Sequence, residues 1–518
     1  MSRTIQQEDL EAVMQHKRTL YVKAELLNRE NFKTVEMVEG EMISDDYSFD
    51  ADSDIRKTYK TTFVVKDSTF KIGRDTKIWL DKYIRLSIGI YHIRLHEILW
   101  FPVGIFIFGM ADYAFDSQTR TLSLSCMDRM VELTGDRNGQ VSGSTTSIPM
   151  IGDGGVENTI RGAMISTITQ LGGIEVYRIE DVGSLRSQDV EGNSGKVVPY
   201  DMDFGTGSYV FDIVKELRDL YPGWETLFDE EFFVCQPIPT CLSDPIVFNK
   251  ETIAPLVISE NTNFNFSQIK NVTEVWGKCL ESDHFATAVV LSGNTYNLTS
   301  ASVTAMSNGM KIGFTANADS PASANIKIGS FTAYPIVRSN NTPIEAEFIK
   351  AGKSYVLQYK QTGSIGQFYY LGEHQIIAIT KLVSTEPTST EKATDIANSP
   401  TDNISYIVNP DSPYCCDYPD VGEIRQVLSG GEFDNIYSED LALQRAEYEN
   451  WRTTDMLDSI SLEMVDIPWI DVNQKIEYRS QATGEVGTYI VKSKSGSSMT
   501  GTMSIGCVKF QPLYPWQS

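Results

Sequence analysis

The sequence is short of nearly everything that an enzyme, a membrane protein or a nucleic-acid binder needs. Five histidines in 518 residues leave little material for a Ser-His-Asp or Cys-His site. Seven cysteines, an odd number with two adjacent at Cys415 and Cys416 and no CxxC pair, suit reduced thiols better than disulfides or a zinc site. No GxGxxG or GxxxxGK[ST] phosphate loop is present, which leaves nucleotide chemistry without its usual cradle. The apolar run Trp100 to Met110, WFPVGIFIFGM, is about half the ~20 residues a spanning helix requires, so no membrane insertion is expected. The first thirty residues lack the apolar centre of a secretory signal, which points to synthesis in a cytoplasm. Basic residues are also scarce: 44 Lys and Arg against 69 Asp and Glu give a formal charge of -25, opposed to DNA or an anionic bilayer as a bound partner.

What is present is β-forming and unevenly charged. Residues 201 to 260 hold twelve acidic side chains against three basic, and residues 384 to 440 twelve against two. Between them, residues 285 to 375 have four against six, with a richness in Ser, Thr, Asn and Ala that marks a separately built segment. The length predicts several cores. The expected class is α+β, mostly β. Residues 1–149 read as a tube-like β domain opened by a helix, with Thr4 and Gln7 in capping-box spacing and Leu10, Val13 and Met14 on one face. Residues 150–265 read as an α+β domain, with Val156, Ile160, Met164, Ile168 and Leu171 on one helical stripe and a second helix in YVFDIVKELRDL. Residues 266–284 and 376–518 read as a second tube-like barrel or meander with a helix over 438–453. Residues 285–375 read as a small sandwich-like β module set into one of its loops.

The most informative feature is internal. Trp79-Leu-Asp-Lys-Tyr-Ile-Arg-Leu compares with Trp469-Ile-Asp-Val-Asn-Gln-Lys-Ile, VGIFIF from Val103 with VGTYIV from Val486, and TLSLSC ending at Cys126 with TMSIGC ending at Cys507. The three blocks share order and eight identities, with length differences only where hairpin loops would fall, so a duplicated β domain is expected. Three copies of such a chain about one axis would set six similar domains in a ring. The apolar stretch around Trp100, Phe101, Ile105, Phe106, Ile107 and Phe108, with Tyr489 and Val491 in the second copy, then supplies candidate contacts between subunits or with a tube.

The block WFPVGIFIFGMADYAFDSQTRTLSLSCMDRM, together with NVTEVWGKC, LALQRAEYENW and the closing GTMSIGCVKFQPLYPW, resembles the tail hub or baseplate hub proteins of long-tailed bacteriophages. The resemblance covers the chain outside 285–375 and consists of architectural patterns with no catalytic content. It implies a homotrimeric virion protein at the tail tip, made in the cytoplasm of a bacterial host. Such a protein closes the distal end of the tail tube, adapts a six-fold tube to a three-fold tip and gates tape-measure protein and DNA exit during genome ejection and host attachment. Its implied neighbours are a tail tube or distal tail ring, the tape-measure protein and a tip, spike or fibre; DNA would pass transiently without specific binding. A chain ending at Ser518 leaves no expected room for a cell-wall-degrading domain.

The segment 285–375 resembles small β modules of phage fibre and baseplate proteins, and Tyr355, Tyr359, Tyr369 and Tyr370 are its candidate glycan contacts, against core packing as the plainer alternative. A glycan-binding baseplate protein, a distal tail protein and a hydrolase are the rival readings. His92 and His96 are expected on the polar side of a strand, without a third metal ligand. Asp229, Glu230 and Glu231 in FDEEFF are expected in a turn, not as a glycosidase pair. No catalytic residue, metal or cofactor is expected.

Overall fold

The computed structural model describes residues 5–38, 41–66, 70–74, 76–116, 118–143, 145–150, 156–183, 197–338, 341–363, 365–454 and 458–513. The protein is α+β and mostly β. The chain opens with helix α1 (Gln7–Met14), followed by β1 (Leu20–Asn28), β2 (Thr34–Met37), β3 (Glu41–Asp50), β4 (Lys57–Val64), β5 (Lys82–His92), β6 (Glu97–Phe115) and β7 (Arg120–Asp128). Alternation fixes these strands: β4 buries Tyr59, Thr61 and Phe63, and β7 buries Leu122, Leu124 and Cys126, with the intervening residues turned outward. Thr4 lies outside the described residues. The first turn is closed by Asp9, whose carboxylate accepts from the Gln6 N–H at 2.9 Å. His92 to Glu97 is not continuous strand but a tight hairpin, with His96 at φ +57°.

The middle of the chain contributes β8 (Thr145–Ile148), α2 (Ile160–Ser166), β9 (Tyr177–Ile179), β10 (Met202–Gly205), α3 (Val210–Asp219), β11 (Trp224–Asp229) and β12 (Phe232–Pro237). Ile160, Met164 and Ile168 are buried, whereas Val156 is exposed and precedes α2. The helix widens into a π-type turn over Thr167–Leu171 and stops at Gly172. Asp229 to Glu231 makes the turn between β11 and β12, as the sequence predicts.

After β13 (Ile246–Phe248), α4 (Lys250–Ile253) and β14 (Val257–Phe264), β15 (Val272–Cys279) leads into eight strands that pair only among themselves. These are β16 (His284–Phe285), β17 (Ala288–Ser292), β18 (Thr295–Thr299), β19 (Lys311–Thr315), β20 (Asn325–Ile328), β21 (Tyr334–Val337), β22 (Ser354–Thr362) and β23 (Ile365–Glu373). Among the described residues, their buried core runs from Ala286 to Phe368, and the hydrophobic side chains packed against it, Tyr370 the last, come from the same module. The chain returns in β24 (Gln375–Val383), where Gln375 is the register partner of Cys279, so the eight strands hang from the tip of one hairpin.

The rest is α5 (Ser389–Ala397), β25 (Ile404–Val408), β26 (Arg425–Leu428), α6 (Glu439–Thr454), β27 (Asp458–Val465), β28 (Lys475–Arg479), β29 (Val486–Ser497) and β30 (Thr502–Lys509). Strands β15 and β24, expected in the second tube-like unit, instead form a separate sheet in the order β25-β24-β15-β26. Their Val275, Ile376 and Ala378 pack with Leu441, Ala442 and Ala446 of α6 and with the buried faces of α2 and α3. A fully buried strand over a helix reads locally like any other apolar strand, so pairing partners so distant in the chain leave no local signal.

One sheet of thirteen strands joins the two ends of the chain, in the order β14-β27-β30-β29-β3-β4-β7-β6-β5-β1-β2, with β28 also on β29 and β13 on β28. Six strands come from each half, and β2 adds an edge. Taken in chain order, β3, β4, β5, β6 and β7 occupy the same places in their half as β14, β27, β28, β29 and β30 in the other, whereas β1 lies antiparallel on β5 and β13 parallel on β28. A single core, from Ala24 and Tyr59 to Ile460 and Cys507, runs under both.

Candidate assembly interface

The repeat is conserved down to the hydrogen-bond register. In the first half Phe108 faces Cys126, then after a bulge at Gly109 Met110 faces Ser125, Ala111 faces Leu124, Asp112 faces Ser123 and Tyr113 faces Leu122. In the second half Val491 faces Cys507, then after a bulge at Lys492 Ser493 faces Gly506, Lys494 faces Ile505, Ser495 faces Ser504 and Gly496 faces Met503. Tyr59 lies opposite Cys126 and Ile460 opposite Cys507. One strand further out, Tyr47 pairs with Tyr59 and Thr262 with Ile460, and both outer strands carry a bulge at an exposed isoleucine, Ile43 and Ile258. Because a slip of one residue would turn every side chain to the other face, shared register and shared bulges mark β3 and β14 as equivalents. The Trp79 and Trp469 blocks align two residues out of step with this frame: Leu86 faces Gly104 and Tyr478 faces Gly487, so Leu86 corresponds to Tyr478.

The two halves meet where β29 outruns β28. Its residues Ser493, Lys494, Ser495 and Gly496 pair with Asp50, Phe49, Ser48 and Tyr47 of β3. The Ala51 N–H extends the ladder to the Lys492 carbonyl at 2.9 Å. Asp45 latches this seam. Its buried carboxylate accepts from the Tyr59 hydroxyl at 2.7 Å, the Ser497 hydroxyl at 2.7 Å and the N–H groups of Ser498 and Met499 at 3.0 and 3.1 Å, with the Ser498 hydroxyl also bound. Lys494 is buried and donates to the carbonyls of Ile467, Pro468 and Ile470 at 3.0, 3.2 and 3.0 Å. Burial drives its pKa down despite nearby Asp466, and burial also raises that of Asp466, which accepts from the Tyr47 hydroxyl at 2.7 Å.

A second knot ties both halves to the middle of the chain. Arg56, buried, pairs with Glu225 at the start of β11, and Glu225 also accepts from the Asn473 amide at 2.6 Å. Burial opposes the Arg56 charge, but the carboxylates of Glu225, Asp471 and Asp128 outweigh it and raise the pKa. Lys57 binds Asp471 at 2.6 Å. Buried pairs of this kind are costly to break singly, so they fix the relative setting of the parts.

The residues singled out from the sequence are mostly enclosed by the chain itself. Phe101, Phe106 and Val491 belong to the shared core, with the Phe101 ring 5.0 Å from that of Trp469. Ile105 and Ile107 point the other way, into a smaller cluster with Leu27, Tyr83 and Val131. The second apolar face of β6 is thus covered by the turn after β7 and by β1, and these five residues are not contact candidates in this conformation. Trp100, Phe108 and Tyr489 are half-buried, with Lys23 5.0 Å over the Trp100 ring. The exposed part of β6 is its far end, Gly109 to Phe115, where Met110 and Phe115 are 67% and 65% exposed. The polar turn residues that follow concealed this extension in the sequence. Among the described residues, no strand pairs with Met110–Phe115 on the side away from β7, or with β14 on the side away from β27.

In the eight-stranded module Tyr355 and Tyr359 are buried core residues, and Tyr370 packs edge-on against Phe348 at 4.8 Å. Tyr369 is half-exposed, with Lys360 4.8 Å over its ring. Among the described residues there is no group of three His, Cys, Asp or Glu side chains able to hold a metal, and no helix long and apolar enough to cross a membrane.

A family profile described as a domain of unknown function (DUF5048) matches residues 411–514, the stretch from before β26 through β30. No curated protein matches. Among solved structures, the chain is similar to a tail protein from Neisseria meningitidis, with a TM-score of 0.44 and 9% identity over 95% of this chain and 98% of that one. It is also similar to a 43 kDa tail protein of prophage MuSo2 from Shewanella oneidensis, with a TM-score of 0.44 and 10% identity over 95% and 98%. A prophage tail protein from Listeria monocytogenes gives 0.41 and 9% over 95% of each chain. Scores below 0.5 at such identities establish neither fold nor role for this chain.

Proposed function

We propose that this protein is a non-enzymatic structural component of a phage or phage-derived tail, a trimeric hub that closes the distal end of the tail tube. The observation that carries the reading is the duplication: two units with five strands each in equivalent places, joined edge to edge in one sheet, so that the chain already contains one step of a ring whose unit repeats twice per subunit. Three subunits give six such units, matching a six-fold tube while leaving a three-fold surface for a tip, spike or fibre. The strong negative charge supports passage of DNA without adhesion, since like charge repels phosphates. Opening and closing of the ring, not bond chemistry, would gate tape-measure protein and DNA. The sequence resemblance of the β6–β7 block to tail and baseplate hubs points the same way. The test is direct: the purified chain should give a three-copy mass in solution and cap the ends of isolated tail tubes in electron micrographs. A monomer at every concentration that never binds tubes overturns the reading.

A further inference from the structure

The seam inside the chain is a template for a seam between chains. The extension of β29 finds β3 of the other half, but its equivalent, the extension of β6, has no partner, and the equivalent of β3, β14, has an open outer side. Both open edges are exposed. Met110, Asp112, Ala114 and Phe115 face solvent on one, and Ile258, Asn261, Thr262 and Asn263 on the other. Neither Met110–Phe115 nor Val257–Phe264 carries the lysines or prolines that commonly protect an edge strand from pairing with another chain, and among the described residues no strand covers either edge.

We propose that a second copy of this chain occupies each edge, the β6 extension of one copy adding antiparallel to β14 of the next in the register of the internal seam. The register follows from the equivalences already given. Gly496 faces Tyr47, and their counterparts are Tyr113 and Thr262; Ser495 faces Ser48, and their counterparts are Asp112 and Asn263; Lys494 faces Phe49, and their counterparts are Ala111 and Phe264. Met110 then falls opposite Asn265. The contact is head-to-tail, two different patches meeting, so it propagates in one direction until the rotation closes. It rests on the ring reading above and specifies which strands make that ring.

The external seam lacks one element of the internal one. Glu260 stands where Asp45 stands, yet its carboxylate is bound within its own chain by the hydroxyls of Tyr478 and Ser480, the latter at 2.7 Å, and by the N–H groups of Gln481 and Ala482, each at 2.9 Å. No carboxylate latch is left for the neighbour's β6–β7 hairpin. The intersubunit ladder relies on backbone bonds and on Met110, Phe115 and Ile258, and is the weaker of the two joints, able to form after folding and to part without unfolding either unit.

Directly opposed strand residues have Cβ atoms about 4.5–5.5 Å apart, close enough for a disulfide after small adjustment. In a full-length Cys279→Ser background, Asp112→Cys with Asn263→Cys should therefore give chains linked to one another on mild oxidation, read on a non-reducing gel. Ser48→Cys with Ser495→Cys is the matched control and should close within one chain. Asp112→Cys with Asn261→Cys, displaced by two residues, should link poorly. On assembly the backbone amides between Met110 and Tyr113 should slow in hydrogen exchange by roughly tenfold or more. A closed three-chain product supports both pairing and ring. A ladder running past three chains supports the pairing and overturns the three-fold reading. A trimer by light scattering with no link at 112–263 and no slowed amides overturns the pairing and leaves the trimer standing. Monomers only, with the control pair closed, overturn both.

Discussion

Removing the Asp45 carboxylate should unlock the internal seam, and the size of the effect follows from which of its partners can reach water. Five donors converge on it, but Ser497 is half-buried and Met499 exposed, and both rehydrate when the acid is gone. Tyr59 and Ser498 do not: they are 0% and 2% exposed, and in Asp45→Ala their hydroxyls and the Ser498 N–H are left in a dry site. At about 1–3 kcal/mol for each buried group left unsatisfied, the three together cost roughly 4 kcal/mol. At 1.4 kcal/mol per factor of ten, amides of β3 and β29 in the paired stretch should exchange about a thousandfold faster. Hydrogen exchange resolved by peptide reads this locally. The amides of β22 and β23, in a separate core, serve as the unchanged reference. Asp46→Ala, at the exposed neighbouring position, should have almost no effect. An acceleration below tenfold in Asp45→Ala, or one equal to that of Asp46→Ala, refutes the role assigned to the latch.

Arg56→Ala leaves Glu225 buried beside Asn473 without its cation and should cost about 3–5 kcal/mol of stability in urea titration, with Glu225→Gln partly compensating in the double variant. Ile107→Ala opens a void under the turn after β7 and should cost about 2–5 kcal/mol, against almost none for Met110→Ala in the monomer. Glu260 titrates at about 2: burial would raise it, but the bonds from Tyr478, Ser480, Gln481 and Ala482 outweigh burial. A depressed acid stabilises above its unfolded pKa and loses that contribution as pH falls through its folded one, so stability attributable to Glu260 should fade between about pH 4.5 and 2, and Glu260→Gln should flatten the pH profile over that window in acid unfolding. Replacing residues 280–374 by a two-residue Asn-Gly turn should leave the shared sheet intact, since Cys279 and Gln375 are already paired; loss of the slow amides of β4 and β7 would count against it.

Local patterns were legible and distant pairings were not. Strands such as Lys57–Val64 and Arg120–Asp128 announce themselves by period-two burial, α6 by its apolar positions with Glu439 and Asp440 at its start, and the Asp229–Glu231 turn by its charge. The repeat was visible because Val103-Gly104 and Cys126 recur at Val486-Gly487 and Cys507. The Trp79 block misled by two residues because its indoles are matched in type but not in ladder position. The run WFPVGIFIFGM showed two apolar faces but not their cover: Ile105 and Ile107 are enclosed by Tyr83 of β5 and by Val131, which only the folded turn after Asp128 brings there. Likewise, Asp112 and the polar turn residues from Asp116 onward hid a strand that continues well past the apolar run. The seam itself joins positions more than four hundred residues apart, for which composition and periodicity carry no signal.

The pairing of Cys279 with Gln375 has an evolutionary corollary. A hairpin tip demands of any passenger only that its two termini lie about one strand spacing apart, around 5 Å, and nothing of its interior. Such a socket lets lineages exchange the appended piece wholesale while the mount stays under its own selection, so diversification of this chain should concentrate between those two residues.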